Sequence, residues 1–201
     1  MELQQPDDGA RADPLRLFQQ LHTATKPAHR ALERSLNLLQ KPVSAARIER
    51  ALKKFLGFHL VWESGFSNSE VFTQLMMNRG RARLAASDLE ALGLSHEEIA
   101  RVPVNEAAAA LHRSAEITMG SLYVMEGSTL GGEVIAKALR AETWLPAQGL
   151  QYFSPPNRDA RSDWNELKTW AETRFAPATW DLIEQGAQET FSLMNTWHST
   201  P

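Results

Sequence analysis

Apolar residues recur every three or four positions over most of the chain, the spacing of helices that each bury one face. Leu15, Phe18, Leu21, Thr25, Ala28, Leu32, Leu36 and Leu39 form the first such stripe. Pro27 lies inside it, so either the helix begins near Thr23 or Thr25 with Pro27 in its first turn, or Pro27 interrupts a longer helix. Both versions put His29 in helical structure. After Pro42 and Ser44, the residues Ile48, Leu52, Phe55, His59, Trp62 and Phe66 run along one face, the most regular helix of the chain. Shorter helical patterns follow around Arg81 to Ala91, stopped by Gly93, and around His96 to Arg101, stopped by Pro103. Asn105 is expected to cap a long segment that ends before Trp144, Pro146 and Gly149. Ser162 or Asp163 then opens a helix to about Arg174, and Thr179 opens a last one to Trp197. No window alternates with period two over the length of a strand, so the predicted class is all-α.

The long segment carries four glycines, Gly120, Gly127, Gly131 and Gly132, among good helix formers. Glycine inside a helix costs roughly 1 kcal/mol relative to alanine, so the missing side chains must serve something. Gly127 and Gly131 are four apart and Gly120 is seven before Gly127, which puts these three on one face. Such a strip of bare backbone suits either a closely packed neighbouring helix or a flat ligand. Ser128 between Gly127 and Gly131 also lets the helix kink there.

A length of 201 residues fits one domain, expected over residues 15–198 after a flexible polar tail at 1–14. With 43% hydrophobic and 22% charged residues the balance is that of an ordinary globular protein. No apolar run approaches a bilayer span and no signal-type segment opens the chain, so no membrane association and a cytoplasmic location are expected. The absence of cysteine removes disulfides, thiolate metal sites and thiolate nucleophiles. A formal net charge of −3 with scattered basic residues gives no case for a nucleic-acid partner.

Histidine and carboxylates are then the metal ligands that remain. His22, His29, His59, His96, His112 and His198 form no HExxH or ExxH pattern, so a multi-histidine site is not expected. One histidine can still serve a metal that brings four ligands of its own, as haem does. His29 and His59 both sit on or beside an apolar stripe, and each has a glutamate four residues on, Glu33 and Glu63, able to hold the other ring nitrogen. Spacing leaves the choice between them open.

The segment Leu21-His22-Thr23-Ala24-Thr25-Lys26-Pro27-Ala28-His29-Arg30-Ala31-Leu32-Glu33 resembles the proximal helix of haem oxygenases, where a Leu-x3-Thr-x3-His pattern followed by Glu supplies the axial histidine. Leu122 to Gly132, with Gly127, Ser128 and Gly131, is similar to the family's distal helix, particularly in its bacterial branch. Weaker similarity covers Phe55 to Glu63, Leu84 to Gly93 and Gly186 to Trp197. The resemblance implies a helical bundle with haem between a proximal and a kinked distal helix. It implies His29 as the iron ligand, with Leu32 and Glu33 beside it, and a distal wall of Gly127, Ser128 and Gly131. Haem would be both cofactor and substrate, cleaved at a meso carbon to biliverdin, CO and ferrous iron by O2 and electrons from a donor such as a ferredoxin or a reductase. A haem carrier or sensor on the same fold is the alternative.

Animal-type members carry Asp just after the first distal glycine, where this chain has Ser128, so the resemblance leaves a proton relay to water, the Ser128 hydroxyl or backbone. His22 stands where that branch often has a Lys against a propionate. Tyr123 is expected either to bond a propionate or to pack, and Lys168 is a further anchor candidate. Lys26, Arg30 and Lys137 are candidates for a basic patch facing an acidic donor. Trp164, Trp170, Trp180 and Trp197 are expected to complete the core, and the protein to be a monomer or weak dimer.

Overall fold

The computed structural model describes residues 15–200, and the tail expected at 1–14 lies outside the described residues. Eight α-helices follow in order: α1 (Leu15–Leu36), α2 (Ala45–Ser64), α3 (Glu70–Met76), α4 (Ala82–Ala91), α5 (His96–Ala100), α6 (Ala115–Leu139), α7 (Ala160–Glu172) and α8 (Trp180–Ser199). Short 3-10 turns at Gly65–Asn68, Glu106–His112 and Pro177–Thr179 connect some of them. No strand occurs among the described residues, in keeping with the all-α expectation. No helix among them is long and apolar enough to cross a membrane.

Pro27 lies within α1, which decides between the two versions of that helix. The residue is exposed, so the carbonyl it leaves without an intrahelical donor is at the surface. Capping agrees with sequence at Ser44, whose side chain accepts from the Arg47 N–H, and the structure adds a capping box of Ser95 and Glu98 at the start of α5. It differs at α6. The cap is Ser114, accepting from the Ile117 N–H, while Asn105 only precedes the Ala-rich 3-10 turn and makes no side-chain cap bond. Asp159, three residues upstream of the expected start, caps α7.

Helix α8 is the bed on which α1 and α6 both lie, and α7 packs along α6 while α2 packs on α4. The α6–α8 contact is close because it is glycine on glycine. A Cβ on Gly120 would strike the backbone of Ile183 and Ala187, and one on Gly186 would stand 2.5 Å from the Ile117 carbonyl oxygen. Trp62, Phe58, Leu17, Leu21, Met119, Leu122 and Leu167 are among the fully buried side chains that fill the centre. Trp164, Trp170, Trp180 and Trp197 pack partly buried around that core.

Candidate functional site

A cavity of about 590 Å³ opens between α1 and the second half of α6. Its α1 wall carries His22, Thr25, Lys26, His29, Leu32 and Glu33. Its α6 wall carries Tyr123, Gly127, Ser128, Gly131 and Gly132. Phe55, Phe153, Phe191 and Met194 close it with apolar surface, and Leu39 and Val134 stand exposed at its rim. The two sequence segments singled out above thus form opposite walls of one cavity.

His29 presents its imidazole to that cavity with half of the side chain exposed and one edge against the Phe191 ring, centroids 5.7 Å apart. Nε2 lies 3.7 Å from Glu33 Oε1, longer than a hydrogen bond, so Glu33 does not lock the ring's tautomer in this structure. His59 is different in kind. It is buried, its Nδ1 is 2.9 Å from Glu63 Oε1, and its Nε2 is 3.1 Å from the Tyr152 hydroxyl. Both ring nitrogens are engaged, leaving neither for a metal. Among the described residues no group of three or more His or carboxylate side chains could hold an ion.

The four glycines divide by what they face. Gly120 meets α8, and a Cβ on Gly132 would strike the Phe153 backbone, so these two serve helix and loop packing. Gly127 looks toward the Trp164 ring at 3.3 Å, and Gly131 has nothing within 4 Å of an added Cβ. The single face expected for Gly120, Gly127 and Gly131 therefore separates into a packing glycine and two that border the cavity.

Ser128 does not stand free. Its hydroxyl donates to the Met125 carbonyl at 2.7 Å and accepts from Arg81 Nη2 at 2.7 Å. The same Nη2 donates to the Met125 carbonyl at 3.0 Å. A serine hydroxyl has one proton, and here it is spent on backbone. Arg81 itself is buried, lines the cavity and lies over the Tyr152 ring at 4.7 Å.

Glu63 holds this corner together. Its Oε1 accepts from His59 Nδ1 and from the backbone N–H groups of Arg81 and Ala82 at 2.6 and 2.9 Å, at the start of α4. Burial would raise the Glu63 carboxyl, but these donors outweigh it and hold it below the usual carboxylate range. Because an ionised carboxylate only accepts, His59 donates from Nδ1 and accepts the Tyr152 proton at Nε2. Burial lowers the His59 pKa against the opposing pull of Glu63, and burial pushes Tyr152 up to about 12. Asp88 fixes the loop that carries Tyr152, its two oxygens accepting from the Gln151 and Tyr152 N–H groups at 2.8 Å each.

Tyr123 lines the cavity, with its ring edge-on to Phe18 and tilted against Trp164 and its hydroxyl bonded to Thr25. Burial raises its pKa. Lys168, on α7, is not among the lining residues, whereas His22 and Lys26, both exposed on α1, are. Sequence singles out neither Arg81 nor Tyr152 as a site residue, and offers their supports His59 and Glu63 only as an alternative metal-binding pair. They come from three elements far apart in the chain, and only the Glu63–His59 spacing left any trace.

The family model described as heme oxygenase matches residues 15–200. A heme oxygenase of Xanthomonas campestris pv. campestris is 35% identical over 120 residues, covering 59% of this chain and 67% of that relative. Among solved structures, the heme oxygenase of Leptospira interrogans superposes with a TM-score of 0.75 at 18% identity, over 91% of this chain and 98% of that one. Heme oxygenase-1 of the cyanobacterium Synechocystis, solved in complex with heme, gives 0.74 at 17% identity over 90% of each. The NO- and CO-bound heme oxygenase of Neisseria meningitidis gives 0.69 at 17%, over 90% of this chain and 89% of that one. At these identities the structural likeness is one of fold.

Proposed function

The chain belongs to the haem oxygenase family, and on that premise we propose that the cavity between α1 and α6 takes haem as its substrate and cleaves it at a meso carbon to biliverdin, CO and ferrous iron. The observation that carries this reading is the placement of His29 and of Gly127 and Gly131 on opposite walls of one largely apolar cavity. The residues fit the group. One imidazole with open space before it suits a metal that brings four ligands of its own, and a wall without side chains suits a flat ring.

Bound haem supplies the iron at which O2 is reduced and the ring that is oxidised. The chain supplies the rest. His29 is the iron ligand, flanked by Leu32 and Glu33, and as a neutral donor it does not push electron density as a thiolate would. Gly131 keeps the opposite wall clear for a diatomic gas. Lys26 stands exposed on the α1 wall with the positive charge that a propionate requires, with His22 one turn away, while Lys168 lies off the cavity. Apolar side chains such as Leu32, Phe153 and Met194 keep bulk water from the ring. The domain runs over residues 15–198, and electrons come from a donor protein of the ferredoxin or reductase type.

Titration with hemin tests the reading. A Soret band should appear at one equivalent and, with a reducing system in air, decay into biliverdin absorbance. A Soret band that persists under reductant and air would make the protein a haem carrier or sensor. No Soret band at all would remove haem from the site.

A further inference from the structure

We propose that Arg81 is the residue by which this chain contacts and polarises a diatomic ligand held opposite His29. The proposal rests on the reading of the cavity as a haem site.

Arg81 is 2% exposed, yet its side chain is held only by neutral partners: the Met125 carbonyl, the Ser128 hydroxyl and the Tyr152 ring. The two other buried or half-buried arginines nearby are treated differently. Arg79 and Arg158 both pair with Glu126, at 2.7 and 2.8 Å. Burying a cation costs several kcal/mol, and the ionised carboxylate of this corner, Glu63, accepts from the backbone N–H groups of Arg81 and Ala82 and not from the guanidinium. Such a charge in a cavity wall is matched by whatever enters the cavity.

The donor count points the same way. A guanidinium has five N–H groups, and Nη2 uses its two on Met125 and Ser128. No hydrogen bond from Nε or Nη1 is found among the described residues. Ser128 cannot take this role, because its one proton goes to the Met125 carbonyl. The contact to Met125 and Ser128 also fixes where the guanidinium lies. It sits on the stretch of α6 next to Gly127, the wall across from His29.

Three supports keep it there. Glu63 Oε1 anchors the Arg81 backbone, Tyr152 lies beneath the guanidinium, and Tyr152 is itself tied by His59 and Asp88. A preorganised donor in a water-poor site stabilises negative charge far more than the same donor would in water. Arginine stays protonated throughout, so Arg81 acts by charge and hydrogen bonding and gives up no proton. Glu63 acts through Arg81 and is a positioning residue.

The test uses the hemin-loaded protein with Arg81→Gln and Arg81→Lys, read by infrared and by ligand titration rather than turnover. In the ferrous CO complex, Arg81→Gln should move the C–O stretch to higher wavenumber, and Arg81→Lys should move it less. Azide affinity of the ferric form should fall by on the order of tenfold in Arg81→Gln, the scale of one charge-assisted hydrogen bond. Should the Gln variant fail to fold, the Lys variant carries the same comparison. Intact Soret bands with an unmoved stretch and unchanged azide affinity in both variants would overturn the proposal. So would a stretch that responds to Tyr152→Phe and not to Arg81. If wild type gives no Soret band, the haem reading has failed first and the role of Arg81 falls with it.

Discussion

Gly120 of α6 and Gly186 of α8 both face the other helix's backbone: a Cβ on Gly120 would come within 2.8 Å of the Gly186 carbonyl carbon after striking Ile183 and Ala187, and one on Gly186 would strike Ile117. The contact sets how near α6 comes to α8. Alanine at either position would meet carbonyl and amide atoms that cannot swing aside, so the intrinsic helix gain of roughly 1 kcal/mol is overridden. Gly120→Ala and Gly186→Ala should each lower stability by about 2 kcal/mol or more in urea unfolding. Gly131→Ala, which meets nothing within 4 Å, should be neutral or slightly stabilising. Equal effects at Gly120 and Gly131 would contradict this division.

That division marks the limit of what periodicity can tell. The spacing of α1 and α2 was legible because each buries one continuous stripe. The seven-residue α3 was not, since Phe72 and Leu75 alone are buried along it and make no repeat. Asn105 looked like a cap because the Ala-rich stretch after it has high helix propensity, yet that stretch winds as a 3-10 turn. A helical wheel places glycines on a face but says nothing of the neighbour, and Gly120 and Gly131 have different ones. Arg81, His59 and Tyr152 meet only through tertiary packing.

His29→Ala should abolish the native Soret spectrum and the loss of haem under reductant, with added imidazole restoring part of the spectrum. His59→Ala should leave a His-ligated spectrum, because both nitrogens of that ring are already engaged. Its cost should fall on stability instead, about 1–3 kcal/mol for the bonds broken to Glu63 and Tyr152. Loss of the spectrum in His59→Ala alone would reverse the assignment.

Asp88 ties folding to pH through the Tyr152 loop. Burial raises its carboxyl from 3.8 to about 6, against the opposing backbone N–H groups of Tyr152, Gln151 and Leu150. The folded state therefore holds this proton more tightly than the unfolded state, so its contribution is complete below about pH 4 and lost as pH rises through about 6. Relative to Asp88→Asn, wild type should lose up to about 3 kcal/mol across that window. Burial, together with Lys54, holds His198 down at about 4, which acts in the opposite sense over the same range. The difference between wild type and Asp88→Asn isolates Asp88. A pH-independent difference in unfolding free energy would refute the linkage.

Glu126 precedes Gly127 and is buried between Arg79 and Arg158, which also reach Glu166 and Asp163 on α7. Glu126→Gln keeps the shape but removes the carboxylate the two arginines share, leaving Arg79 with Glu166 and Arg158 with Asp163, at a cost of about 1–3 kcal/mol. Chemical denaturation should show that loss, and haem affinity should weaken because the α6 wall is no longer pinned to α7. A loss below about 1 kcal/mol would mean that water reaches these arginines and the pairing is of the weak surface kind.

The position of α8 beneath both α1 and α6 has a consequence for the order of assembly. The two walls of the cavity, α1 and α6, both precede in the chain the helix that holds them at the right separation. Until Trp180–Ser199 docks, α1 and α6 have no common support, and closing so long a loop is the slow, entropically costly part of folding. A chain elongated through α6 but not yet through α8 therefore carries His29, Gly127 and Gly131 without the support that sets them opposite one another. On the proposed reading, capture of haem waits for α8 to dock rather than for either wall to form.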